Sequence, residues 1–241
     1  MTVPENTPAA PQASLWEDFI DIFTSPSQVF RRRENSGFGL QLLIVTVVFG
    51  ILVLGTKSLM QPVFDAEMAR QTAQVLKAHP EVTAEQLKGQ MAMGEKIAPI
   101  FIIIAIPISI LLTGLVLWLV GKIFESKQTA QTAMMVATYA FVPRLLGTVV
   151  GAVIAFLSSP ERLNGAARLT VGLGALLDPD KSSPVLLALL TRVDLFVIWQ
   201  TILLAIGLQV TGRVSKASSY LAAALVWLIG ALPTLLGALR R

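Results

Sequence analysis

Residues 35–56, 97–121, 195–212 and 217–239 carry no charged side chain, and a fifth apolar stretch, 128–158, holds only one, Arg144. A helix needs about 20 apolar residues to cross the roughly 30 Å of hydrocarbon in a bilayer. Core helices of water-soluble domains are rarely so long and so poor in charge. The stretches predict an all-α, polytopic membrane protein: a bundle of five transmembrane helices near 38–57, 97–121, 130–157, 186–211 and 217–239. Charged residues make up 14% of the chain, against about 25% in a soluble domain, so there is too little charge to coat the apolar surface. The lipid bilayer is therefore the first expected partner, with other membrane proteins or further copies of the chain within it.

Ahead of the first span, Trp16, Phe19, Ile20 and Phe23 recur at i, i+3, i+4 and i+7, the spacing of one helix face. Ser14 and Glu17 have the spacing of a capping box, and Pro26 suits the first position of a second short helix. Asp18 and Asp21 fall on or near the other face. Two placements fit: an N-terminal amphipathic helix lying in the membrane interface, or the same helix packed on the membrane ends of the protein itself. Residues 1–13 are rich in Pro and Ala and hold no Lys or Arg, which reads as a disordered tail rather than a signal peptide. The expected division is thus a tail over 1–13, an interfacial segment over 14–36 and a five-span domain over 37–241.

Arg31, Arg32 and Arg33 immediately precede the first span. Basic residues in that position stay in the cytoplasm, so five spans carry the C-terminus to the outside. The loop 58–96 then lies outside. It reads as a small helical hairpin, stopped at Pro80, restarted with Thr83 as cap, and running on into the second span. The outer segment 158–183 is apolar and Gly-rich but too short to span, and it either lies along the surface or dips partly in.

Signatures of catalysis are missing from the sequence. The chain has no cysteine and one histidine, His79, in a polar loop. It has no HExxH, GxSxG, P-loop or GxGxxG motif, and its carboxylates are scattered rather than spaced as metal ligands. No enzymatic activity, cofactor or metal is expected. The net charge of +4 is spread over short loops, which suits a membrane surface and not nucleic acid.

The intramembrane charges mark the candidate site. A charge at the depth of Arg144 costs at least about 2.5–3.5 kcal/mol, so it should face protein or water. Pro143 removes the amide that would bond the carbonyl of Tyr139. Asp194 falls about 12 Å into the fourth span and Arg144 about 20 Å from the outer end of the third, so a long arginine side chain could join them. Arg144, Asp194, Tyr139 and Gln200 then make a candidate polar site. It is either an ion pair locking spans three and four, or a polar pocket or pathway between them. A fourth span beginning at 195 would leave Asp194 at the outer interface instead. Gly147 and Gly151 form a GxxxG in the third span, which permits close helix approach.

Three segments together have a familiar order: "DIFTSPSQVFRRREN" before the first span, "WLVGKIFESKQTAQTAMMVATYAFVPRLLG" across spans two and three, and "LLTRVDLFVIWQTILLAIGLQVTGRVSKASSYLAAALVW" across four and five. In these the chain resembles the bacterial branch of the Yip1 family of five-span membrane proteins. The resemblance implies a cytoplasmic N-terminus, an external C-terminus and a non-enzymatic role; the reading taken from the whole chain is an interaction or organising factor of the bacterial inner membrane, in envelope, lipid or protein traffic. Eukaryotic relatives act with small GTPases, but their DLYGP signature has no counterpart here, so that role does not transfer. The residues alone also allow a small transporter or channel component centred on Arg144 and Asp194.

Overall fold

The structure, a computed structural model, describes residues 14–78, 81, 83–159, 162–163 and 165–239, with only the backbone for 84–88, 90–93, 95 and 96. The tail expected over 1–13, together with His79, Pro80, Arg240 and Arg241, lies outside the described residues. Among the described residues the chain forms ten α-helices and no strand: α1 Leu15–Thr24, α2 Pro26–Arg33, α3 Gly39–Gly55, α4 Lys57–Ala78, α5 Ala84–Ile123, α6 Ala130–Ala140, α7 Val142–Leu157, α8 Pro184–Leu190, α9 Leu195–Gly212 and α10 Lys216–Leu239.

Four helical runs are long and apolar enough to cross a membrane: Ile97–Ile123 within α5, Ala130–Leu157 across α6 and α7, α9, and α10. The pair α3 and α4, bent by 77°, makes a fifth where the two are counted as one broken span, giving four to five candidate spans. The chain is thus an all-α polytopic membrane protein. The bend has a sequence cause. Lys57 ends the charge-free run, and Thr56 closes α3 by bonding the Leu52 carbonyl through both its amide (3.0 Å) and its hydroxyl (2.7 Å). The polar α4 then turns away from the line of α3 and packs on α7 and the 40-residue α5.

Two spans are broken rather than continuous. The run 130–157 breaks at Phe141, because Pro143 offers no amide to the preceding turn. The Phe141 amide bonds Ala137, and Arg144 restarts the ladder on the Phe141 carbonyl at 2.8 Å. The expected single helix over 186–211 is instead α8 and α9, separated at 191–194. The break follows from Asp194, whose side chain caps α9 by accepting from the amides of Phe196 (2.9 Å) and Val197 (3.2 Å). Asp194 itself is extended, as an N-cap residue should be.

The core is one cluster drawn from most of the helices. It includes Ile22 of α1, Val29 and Phe30 of α2, Leu117 of α5, Val136 and Tyr139 of α6, Leu203 and Leu208 of α9, and Ala222 of α10. Glycines allow the tightest approaches. A Cβ at Gly207 of α9 would fall 2.2 Å from a Val136 methyl, and one at Gly114 of α5 would fall 2.8 Å from the Met134 backbone.

Candidate functional site

The N-terminal segment is part of the bundle. The turn at Ser25 folds α1 back against α2, and the capping box of Ser14 and Glu17 forms as expected. Antiparallel pairing around that turn sets Asp18 opposite Arg32 and Arg33, seven and eight residues beyond Ser25. Asp18 is wholly buried; its carboxylate takes ion pairs from Arg32 Nη2 (2.8 Å) and Arg33 Nε (2.5 Å). Tyr139 Oη donates to the same carboxylate at 3.2 Å. Asp21 takes a second bond from Arg32 at 2.6 Å. That bond, with the charge of Asp18, raises the Arg32 pKa further above its ordinary value against the opposing effect of burial.

Aromatic contacts show how far the hairpin reaches. The Phe19 ring lies 5.6 Å from Tyr139, and Phe23 meets Trp199 edge-on at 5.1 Å. Trp199 lies 13 residues before the end of α9, about 20 Å along its axis. At its other end the hairpin is tied where α9 finishes and α6 begins. Glu34 pairs with Arg213 at 3.0 Å, and its carbonyl accepts from Thr132 Oγ1 at 3.1 Å. Of the apolar stripe Trp16–Phe19–Ile20–Phe23, Phe19 and Phe23 pack on the core while Trp16 and Ile20 stay two-thirds exposed.

At the opposite end, Asp194 is fully engaged. Besides capping α9, its carboxylate accepts from the Val171 amide at 3.0 Å. Leu173 and Leu195 complete a two-residue bridge with Val193 and Val171. Two 3₁₀ turns, Ala166–Leu169 and Leu173–Leu176, carry the segment across this site. Gly172 is required there, because a Cβ would lie 2.4 Å from the Val193 carbonyl. Arg70 fastens α4 over the same segment by pairing with Asp180 at 2.7 Å.

The guanidinium of Arg144, third residue of α7, makes no hydrogen bond or ion pair to any described residue. The expected Arg144–Asp194 ion pair is not formed, since three backbone amides already occupy the carboxylate. The two side chains do line one cavity of about 270 Å³, walled by Thr148 and Gly151 of α7 and by Thr170 and Val171. Arg144 and Gln200 line a second cavity, of about 230 Å³, with Arg192 and Trp227. Tyr139 joins neither and faces Asp18 instead. The residues that sequence reasoning passed over are Asp18, Arg33 and Arg192. For Asp18 the available signal was spacing: two short helices of similar length around "TSPS" put the acid opposite the arginines.

The profile of the Yip1 domain matches residues 20–237. Over 209 residues the chain is 27% identical to membrane protein YknW of Bacillus subtilis, covering 86% of this chain and 83% of that protein. No solved structure matches it.

Proposed function

The chain belongs to the Yip1 domain family of membrane proteins, and from that premise we propose that it acts as a non-enzymatic interaction or organising factor within the bacterial inner membrane, with a cytoplasmic N-terminus and an external C-terminus. The observation that carries this reading is the filled half of the bundle on the α1–α2 side. Wholly buried Ile22, Val29, Phe30, Met135, Val136, Tyr139 and Leu208 pack there in one apolar cluster. A conduit needs a polar path through the hydrocarbon, and the side chains of this cluster are almost all apolar. What remains for function is surface: the hairpin and the polar α4 are the elements that project from or line the bundle, available to partners in envelope, lipid or protein traffic.

A small transporter or channel component is the competing reading, and the two cavities that adjoin Arg144 favour it. Reconstitution in liposomes separates the two. The organising role predicts no solute or ion flux above that of empty liposomes, and no change on Arg144→Gln. A specific flux that Arg144→Gln abolishes would replace it with transport.

A further inference from the structure

We propose that Arg144 and Arg192 together bind a phosphate group in the cavity between α5, α7, α9 and α10, and that the carrier of that group is the headgroup of an anionic phospholipid. The inference stands whichever reading of the function holds.

Two guanidinium groups share this cavity, about 230 Å³ in volume, and no carboxylate lines it. Their nearest acid, Asp194, borders the neighbouring cavity and has its oxygens committed to three amides. Like charges brought together in a low dielectric repel, and a charge out of water is costly unless compensated. Among the described side chains Asp194, from the adjoining cavity, offsets one of the two positive charges and leaves the other uncompensated, so an anion from outside balances the site.

The donors are arranged for such a ligand. Arg192 is held from behind: one Nη donates to the Trp227 carbonyl at 2.9 Å, and its guanidinium carbon sits 5.6 Å from the centre of the Trp227 ring. Its Nε is buried and bonded to nothing among the described residues. The guanidinium N–H groups of Arg144 have no described partner, and the Gln200 side-chain amide makes no bond to a described residue. The hydroxyls of the wall cannot serve, because Ser109, Thr113 and Thr201 donate to carbonyls of their own helices. Two planar forks and an amide match the oxygens of a phosphate.

The surroundings favour a lipid source over a dissolved one. On α5, Ile108 and Leu112 flank Ser109 and Thr113 and are exposed; on α10, Leu228 and Ile229 beside Trp227 are exposed as well. In a bilayer these apolar surfaces face acyl chains. A headgroup can therefore enter sideways while its chains stay on α5 and α10.

The test uses the full chain, delipidated in detergent and titrated with short-chain phosphatidylglycerol, with the matching diacylglycerol and with inorganic phosphate, binding being followed by native mass spectrometry and by the thermal midpoint. Phosphatidylglycerol is expected to bind and to raise the midpoint, while diacylglycerol does neither. Arg144→Gln and Arg192→Gln should each weaken it about tenfold or more, the loss of one charge-assisted contact. Gln200→Leu keeps both charges and should weaken it less, which holds the test open if an arginine variant fails to fold. Inorganic phosphate binding as tightly as the lipid would uphold the site but overturn the lipid as its source. Diacylglycerol binding equally well, or folded arginine variants that keep full affinity for phosphatidylglycerol, would overturn the proposal.

Discussion

Replacing Asp18 with alanine is expected to lower the unfolding free energy by about 3 kcal/mol, near the lower end of the range for breaking a buried ion pair. The carboxylate is wholly buried and is the common acceptor of Arg32, Arg33 and Tyr139. Its loss removes the buried countercharge facing Arg32 and Arg33 and leaves the Tyr139 hydroxyl without this acceptor. The cost stays below the top of the range because both arginines keep some contact with solvent or headgroups. Asp21 offers the control on the same helix. It and Arg32 are each about a third exposed, so Asp21→Ala should cost under about 1 kcal/mol. Equilibrium unfolding in bicelles measures both. The double variant Asp18→Ala with Arg33→Ala should lose less than the two single losses together, because both single changes remove the same ion pair. Equal costs for Asp18→Ala and Asp21→Ala would mean that Asp18 is not buried.

Gly207→Ala should destabilise by about 2 kcal/mol, although alanine is the better helix former. The added Cβ would lie 2.2 Å from one Val136 methyl and 2.9 Å from the other. A valine on a helix has one strongly preferred rotamer, so Val136 cannot turn aside and α6 and α9 must separate. Val136→Ala removes both methyls and should restore most of the loss when combined with Gly207→Ala. Gly237, within α10, has open space where a Cβ would stand, with nothing within 4 Å; Gly237→Ala should be neutral or slightly stabilising. The same unfolding assay reads all four variants.

The spans were legible because the bilayer imposes length and charge-free composition together. Capping signals that rest on local geometry were legible too: Ser14 with Glu17 caps α1, and Pro26 opens α2. Asp18 was not. In water the charged face of an amphipathic helix points outward, and that habit placed Asp18 on the open side. Beside a membrane bundle the outside is itself apolar, so Trp16 and Ile20 can remain exposed while the acid turns inward to the arginines. The arginines thus have a structural role that their place before the first span did not suggest.

Asp194 misled for the opposite reason. Set in an apolar run, it read as an intramembrane charge in need of a countercharge. An aspartate directly before "LFVIWQ" is also an N-cap signal, and three backbone amides satisfy its oxygens without an arginine. That frees Arg144, and with it the cavity shared with Arg192. Composition could not reveal the pairing of those two arginines, since it depends on α8 and α9 meeting α10 beside α7.

The central claim is that the N-terminal hairpin is inserted in the bundle and closes it. The chain has no cysteine, so cysteines placed at Phe23 and Trp199 report on that contact alone. A short bifunctional maleimide applied to native membranes should join them within one chain, as their 5.1 Å ring separation requires, while a cysteine at Trp16 paired with one at Trp199 should not react. Failure of the Phe23–Trp199 link, with both cysteines labelled singly, would place the hairpin in the lipid interface and contradict the account.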